Sequence, residues 1–342
     1  MKKKWIKSLI SSVLIGVFTF SMVGCGSKTS SSKTQTVKLN EVVRSIFYAP
    51  MYVAINKGFF KEEGLKIELS TGQGADKTMQ QVLSKTSDIG LCGPEQAIYI
   101  YNQGREDYPV VFGQLTQTDG SFLFGKKEEK DFNWKNLKGK KVIGGRPGGM
   151  PEMAFEYALK KHGLTPKKDV DIITNIAFNA TAGAFKSGNE DYVTLFEPTA
   201  SLMQKQGGGH IVASIGESLG SIPYTCFFST KSYIRKNPEL VQHFLNAISK
   251  GQQWLYSHSD EEIVDTIKSF FPGNDIDTLI GSVKNYKKLN SYAKQLTLKE
   301  EDLNKLMDII ESYNKDLIKK RPPFNKIVDN SFAEKVTQNT KK

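Results

Sequence analysis

The chain reads as an α/β protein with two lobes, a ligand cleft between them and a helical C-terminal extension. Three observations predict this. Short apolar, strand-like runs alternate with helical patterns in two successive blocks. After Asn237 the pattern turns mainly helical. The length, 342 residues, is enough for two substantial cores.

In the first block, residues 41–46 read as a strand and 49–63 as a helix. That helix takes its apolar faces from Met51, Val53, Ala54, Phe59 and Phe60. Strands follow at 66–69, 89–91 and 110–115, with helices at 75–84 and 95–102 between them. Gly58 and Gly64 are placed to end a helix through a positive φ. The second block predicts strands at 122–124, 141–144, 171–174, 192–195 and 211–214. Its helices fall at 151–162, with Pro151 in a favoured first-turn position, near 180–186, and at 199–206. Later helices are expected at 239–257, 260–270, 276–288 and 299–318. The division that follows assigns 37–118 plus 222–335 to a first, discontinuous lobe and 119–221 to a second. Hinges are expected near 118–120 and 221–224.

The N-terminus bears on compartment. Lys2, Lys3, Lys4 and Lys7 precede an apolar run over residues 9–23, which ends in Met22-Val23-Gly24-Cys25. A basic start, a short apolar core and small residues before the cut describe a secretory signal. The run is short for a membrane span. A cysteine directly after glycine resembles a bacterial lipobox, which implies cleavage before Cys25 and a lipid on its sulfur. Residues 1–24 are thus read as a lipoprotein signal peptide and 25–36, rich in serine and threonine, as a flexible tether. The expected location is the extracytoplasmic face of the cell membrane, and the alternative is an uncleaved anchor. Loss of four lysines with residues 1–24 takes the formal charge from +11 to +7. The remaining lysines are interspersed with acids, as in Lys126-Lys127-Glu128-Glu129-Lys130, which speaks against nucleic acid as a partner. Cys92 and Cys226 form no disulfide framework and read as two small buried thiols.

Ligand sites in open α/β sheets form beyond the carboxyl ends of strands. This rule selects Ser45, Phe47 and Tyr48 after the first strand, with either ring able to stack on a flat ligand. It selects Gly74, Ala75 and Asp76 after the second, Asp76 as a helix N-cap. Gly93 and Glu95 follow the third strand, Glu95 favouring the helix dipole, and Thr118 follows the fourth. In the second block it selects Arg146, Gly148, Gly149 and Met150 within "GGRPGGMPEM", then Asn179, Glu197, and Tyr224 at the return crossing. The glycine loop opens a helix, where free N–H groups favour anions. It lacks the Gly-Lys-Ser/Thr ending of a nucleotide loop and has no clean GxGxxG. It is expected to hold a carboxylate, a sulfonate or a polar ring edge; the alternative is a tight turn with Arg146 solvated.

Several stretches in a fixed order carry a family resemblance: "FYAPMYVAINKGFFKEEGLKIEL" (47–69), "SDIGLCGPEQAI" (87–98), "NLKGKKVIGGRPGG" (136–149) and "DYVTLFEPTASL" (191–202). Over roughly residues 37–260 the chain resembles solute-binding proteins of nitrate, sulfonate, taurine and thiamine-pyrimidine importers. The resemblance implies a type II periplasmic-binding fold and a monomer that delivers a small solute to an ABC permease and its ATPase. It also places the Glu197-Pro198 segment at the cleft wall, where Glu197 would accept hydrogen bonds from an amino group; a salt bridge between lobes or to the permease is the alternative.

A branch of the same family makes the thiamine pyrimidine with a histidine near the first helix and a cysteine-rich loop. Here His162, His210, His243 and His258 all lie far from Tyr48, and no cysteine cluster exists. No metal-ligand spacing or nucleophile elbow appears. The expectation is therefore a binding protein without catalysis, cofactor or metal. Its ligand is expected to be an amino-bearing heteroaromatic solute such as a thiamine pyrimidine precursor. An aliphatic sulfonate or taurine binder is the alternative, and a pyrimidine-precursor synthase-like enzyme or a sensor or adhesin ectodomain are weaker ones.

Overall fold

Strand ends from two five-stranded sheets face one another in the computed structural model, which describes residues 34–340. In chain order the strands are β1 (Gln35–Glu41), β2 (Leu65–Thr71), β3 (Ile89–Cys92), β4 (Pro109–Thr116), β5 (Phe122–Gly125), β6 (Lys141–Ile143), β7 (Asp171–Ile173), β8 (Tyr192–Leu195), β9 (His210–Ser214) and β10 (Thr225–Thr230). The first sheet runs β2-β1-β3-β10-β4 and the second β7-β6-β8-β5-β9. In the first, β1 is parallel to β2 and β3, and β10 returns antiparallel between β3 and β4. In the second, β6 is parallel to β7 and β8, and β5 is antiparallel to β8 and β9. This is a mixed α/β architecture. An aspartate pins the same register in each sheet: Asp88 Oδ2 accepts from the Lys38 N–H at 2.8 Å, and Asp191 Oδ2 from the Lys141 N–H at 3.0 Å.

Two local expectations are corrected. The first strand is Gln35–Glu41, not 41–46. Its first two residues, Gln35 and Thr36, fall within the expected tether, but the Gln35 N–H donates to the Gly64 carbonyl at 2.9 Å and starts the β1–β2 ladder. Residues 42–45 are loop, followed by a 3-10 turn at Ile46–Tyr48. The expected helix at 49–63 is two helices, α1 (Ala49–Asn56) and α2 (Phe59–Glu62), because Gly58 turns the chain at φ +80°.

The remaining helices are α3 (Ala75–Leu83), α4 (Glu95–Asn102), α5 (Met150–Lys161), α6 (Thr181–Ser187), α7 (Thr199–Lys205), α8 (Ile215–Leu219), α9 (Lys231–Lys236), α10 (Pro238–Ser257), α11 (Asp260–Ile267), α12 (Ile276–Lys288), α13 (Glu300–Tyr313), α14 (Phe324–Ile327) and α15 (Ser331–Thr340). The longest, α10, buries Val241, Phe244, Leu245, Ile248 and Leu255 at helical spacing. Each such side chain contributes roughly 1.5–3 kcal/mol. It packs on α1 at close range: a β-carbon on Gly251 would lie 2.3 Å from the Pro50 carbonyl oxygen. The C-terminal helices also reach the second sheet's helices, with α12 against α7 and α13 against α5.

Two crossing segments join the sheets and pair with each other. The Thr118 hydroxyl donates to the carbonyls of Gly216 at 3.2 Å and Gly220 at 2.9 Å. The N–H groups of Ile222 and Tyr224 donate to Gln117 at 3.1 Å and Thr116 at 3.2 Å. The signal, lipidation and most tether assignments fall outside the described residues. Among the described residues no helix is long and apolar enough to cross a membrane.

Candidate functional site

The cleft lies between the strand-end loops of the two sheets. It has three joined spaces of about 250, 360 and 50 Å³. Pro151 and Phe178 line all three, so they are compartments of one cleft.

The first compartment is basic. Arg44, after β1, and Arg146, after β6, both line it, together with Ser45, Asn179 and Glu197. Arg44 Nε is 3.1 Å from Glu41 Oε1, and its guanidinium carbon lies 5.4 Å from the Tyr52 ring centre and 5.2 Å from that of Phe270. Its Nη1 is buried without a hydrogen-bond partner. Behind it, Glu41 is pushed up to about 7 by burial, against the opposing pull of Arg44.

The second compartment is closed at its mouth by contacts across the cleft. Arg146 Nε stands 3.4 Å from Asp76 Oδ1, and the Asn179 amide donates to Gln73 Oε1 at 3.4 Å. Both charged side chains of that ion pair are about half exposed, which limits its strength. Gly74, Ala75, Gly149 and Met150 complete this wall. Asp76 sits inside the first turn of α3 and does not cap it; Gly74 holds the N-cap position.

The third compartment is the smallest. Tyr48, Gly93, Glu95, Phe196 and Tyr224 line it. Glu95 is 1 % exposed, and burial pushes its carboxyl to about 7. Cys92 and Cys226, free thiols opposite each other on β3 and β10, lie behind it, and burial raises both.

Three candidate residues stand away from the cavity wall. Phe47 is 1 % exposed and packed among Tyr48, Phe196, Tyr224 and Tyr286, with ring centres 4.9–6.0 Å away. Thr118 is spent on the crossing segments described above. Gly148, at φ +71°, offers its carbonyl to the Tyr99 hydroxyl at 3.0 Å. Glu197 does line the first compartment, but its carboxylate is engaged inside the protein. Oε1 accepts from Ser201 Oγ at 2.7 Å and Asn285 Nδ2 at 2.6 Å. Oε2 accepts from the Ser201 N–H at 2.9 Å and Ser282 Oγ at 3.3 Å.

Arg44, Gln73, Phe178 and Phe196 were not among the candidates. Arg44 escapes the sequence reading because the strand expected at 41–46 starts six residues late and ends five late, which puts Arg44 inside it. The two phenylalanines stand in loops the strand-end rule marks, but the rule does not say which side chains of a loop reach the cavity. The glycine loop is held from below by Glu152, whose Oε2 accepts from the Gly145 N–H at 2.9 Å. Burial and the neighbouring Glu156 hold Glu152 well above the carboxylate range.

These buried acids give the protein an unusual pH profile. Burial likewise raises Asp119, to about 6. Glu41, Glu95, Asp119 and Glu152 all bind protons more tightly folded than unfolded. The folded chain therefore carries more protons from about pH 4 up to the raised values, and stability falls as pH rises through that window. Carboxyls whose values are lowered, Asp275 through its hydrogen bond from Lys205 among them, oppose this at the acid end of the window, and His162, lowered by partial burial and by Lys161, opposes it nearer neutrality. Thermal melts should show a higher Tm near pH 5 than near pH 8. A flat or rising profile would contradict the burial of these carboxyls.

The profile of the family described as NMT1/THI5 like matches residues 46–262. This chain belongs to that family. The NMT1/THI5-like chain is 45 % identical over 334 residues to "Putative binding protein YtlA" of Bacillus subtilis (strain 168), covering 98 % of each. It is 25 % identical to the 4-amino-5-hydroxymethyl-2-methylpyrimidine phosphate synthase of Aspergillus parasiticus, over 64 % of this chain and 67 % of that one. Among solved structures it superposes on the alkanesulfonate-binding protein SsuA from Xanthomonas axonopodis pv. citri bound to MOPS. The TM-score is 0.69 at 15 % identity, over 88 % of this chain and 100 % of that one. The periplasmic nitrate-binding protein NrtA from Synechocystis PCC 6803 gives 0.68 at 17 % identity, over 90 % and 89 %. The two-sheet α/β architecture is thus the periplasmic-binding-protein fold.

Proposed function

We propose that this NMT1/THI5-like protein is the solute-binding component of an ABC importer and acts without catalysis. The observation that carries the reading is the single cleft between two sheets, closed by side chains from both sides: Asp76 with Arg146, and Gln73 with Asn179. A site built that way captures and releases a small solute by hinging at the crossing segments. Among the described residues no group of His, Cys, Asp and Glu is arranged to hold a metal ion. The relative named as a binding protein spans nearly the whole chain and supports the same reading.

The favoured ligand is an amino-bearing heteroaromatic solute, of which a thiamine pyrimidine precursor is the type. Aromatic walls from Tyr48, Phe178, Phe196 and Tyr224, with the buried acid Glu95 beside them, suit it. The second reading, an aliphatic sulfonate or taurine-type solute, rests on Arg44 and Arg146 in one compartment. The leader pattern supports an extracytoplasmic protein tethered through lipid on Cys25, and the family resemblance a monomer serving a permease and its ATPase.

Native mass spectrometry of the purified chain, followed by calorimetric titration with 4-amino-5-hydroxymethyl-2-methylpyrimidine, taurine and nitrate, tests this. A retained or titrated solute released unchanged is the expected result. Turnover of the bound solute, or no solute of any kind, overturns the reading. Cys25→Ala should abolish acyl labelling and release the folded protein from membranes; unchanged membrane association with no label in the wild type removes the anchor.

A further inference from the structure

Glu95 opens α4 directly after the Gly93-Pro94 turn. Its Oε1 accepts from the Gln96 amide at 3.2 Å, while its Oε2 is buried and has no hydrogen-bond partner. A carboxyl oxygen taken from water without a donor is costly, and folded proteins rarely leave one so. The site is built around it: a β-carbon on Gly93 would lie 1.9 Å from that oxygen. Tyr224, on the same wall and 6 % exposed, has its hydroxyl engaged with the buried Asp119 carboxyl. One buried, unmatched carboxyl oxygen, on Glu95, thus borders a small space whose other walls are largely aromatic.

We infer that Glu95 anchors the solute by accepting an N–H, or sharing a proton, with a nitrogen of the ligand, so that capture is linked to one proton. This deepens the solute-binding reading and rests on it. The charges that reach Glu95 are Asp76 from α3 and Arg146 from the glycine loop, and they oppose each other. Cys92 on β3 and Cys226 on β10 back it, and Tyr48, Tyr99 and Tyr224 surround it. Burial raises every one of these thiols and phenols, so they stay neutral from about pH 6 to pH 9. Glu95, at about 7, is the neighbour that changes charge there.

The nitrogen has two sources, and they give opposite slopes. An aliphatic ammonium needs the carboxylate, so its affinity rises as pH climbs through about 7. An amino-substituted ring presents an acceptor nitrogen beside its amino group. It needs the Glu95 proton, so its affinity falls over the same range. Glu95→Gln removes either slope. For the ring, the glutamine amide reproduces both hydrogen bonds and affinity is kept; for the ammonium, affinity drops. Glu95→Leu removes the anchor for both.

The test is calorimetric titration of the full chain, its Glu95→Gln and its Glu95→Leu variants, with taurine and with 4-amino-5-hydroxymethyl-2-methylpyrimidine across this pH range. Glu41, Asp119 and Glu152 also titrate here, so the slope is read as wild type minus Glu95→Gln. Expected are a slope carried by Glu95 and a loss of about tenfold or more in Glu95→Leu, with a Tm no lower than wild type. Wild-type affinity in Glu95→Leu, or an unchanged slope in Glu95→Gln, overturns the inference. So does a wild type that binds neither probe. In that last case a solute retained in native mass spectra leaves the binding-protein reading standing, and its absence removes both.

Discussion

Phe47→Ala is expected to lower stability by about 3–5 kcal/mol, the usual cost of emptying a buried phenylalanine site. Phe47 sits where the two sheets and the C-terminal helices meet. Its ring centre is 4.9 Å from Tyr286 on α12, 5.6 Å from Tyr224 on the return crossing and 6.0 Å from Phe196 after β8. A β-carbon on Gly120, in the outgoing crossing, would lie 2.6 Å from the same ring. Three rings and the Gly120 backbone, from four separate segments, cannot all close on the vacated space, so the cavity term should be near full size. Tyr48, Phe196 and Tyr224 line the cleft and lean on Phe47, so affinity should fall as well, through their displacement. Denaturant unfolding separates the roles. A ring that stacks on ligand would leave stability nearly unchanged while affinity falls. A loss of several kcal/mol, mostly restored in Phe47→Leu, is the outcome expected of a keystone beneath the site.

Much of the architecture could be read from residue order because it is locally encoded. The helix at Glu95–Asn102 and the strand at Tyr192–Leu195 fall where the pattern put them. Gly58 and Gly64 take the positive φ that their position after a helix asks for. What escaped has physical causes. The strand Thr225–Thr230 buries hydroxyl side chains at Thr225, Ser229 and Thr230, so no sustained apolar run marks it. The strand Gln35–Glu41 begins with two exposed polar residues, ends with the buried polar Asn40 and Glu41, and joins a serine- and threonine-rich run, which hid its start. That single boundary cost the site Arg44. For the site itself, the strand-end rule brought Tyr48, Asp76, Glu95, Arg146 and Asn179 to one cleft, since it depends only on topology. It could not tell whether a side chain on such a loop faces the cavity or the protein. Phe47 and Glu197 show that gap, because their partners come from distant sequence.

Glu197→Ala is expected to cost about 3 kcal/mol of stability, the upper end for hydrogen bonds to a charged group. Its carboxylate joins three segments. Ser201 on α7 supplies its N–H and hydroxyl, while Ser282 and Asn285 on α12 reach across 85 and 88 residues of sequence. The backbone there is fixed too, since the Glu197 N–H donates to the Tyr286 hydroxyl at 2.9 Å and its carbonyl accepts from Ser45 Oγ at 2.6 Å. Alanine would leave a backbone N–H and an amide without acceptors at a site where Glu197 is 1 % exposed. Glutamine should do better. Its carbonyl can take the place of Oε2, facing the Ser201 N–H, which cannot turn. Its amide nitrogen then meets Ser201 Oγ, which can accept, and Asn285, whose amide can flip. A loss nearer about 1 kcal/mol follows. Ligand affinity decides the remaining question. If Glu197 grips the solute, Glu197→Gln lowers affinity beyond what its Tm explains. If it fastens the second sheet's loop to α12 and so shapes the wall, Tm falls while affinity for the retained solute stays within about threefold, or ~0.6 kcal/mol. The four internal hydrogen bonds lead us to expect the second outcome.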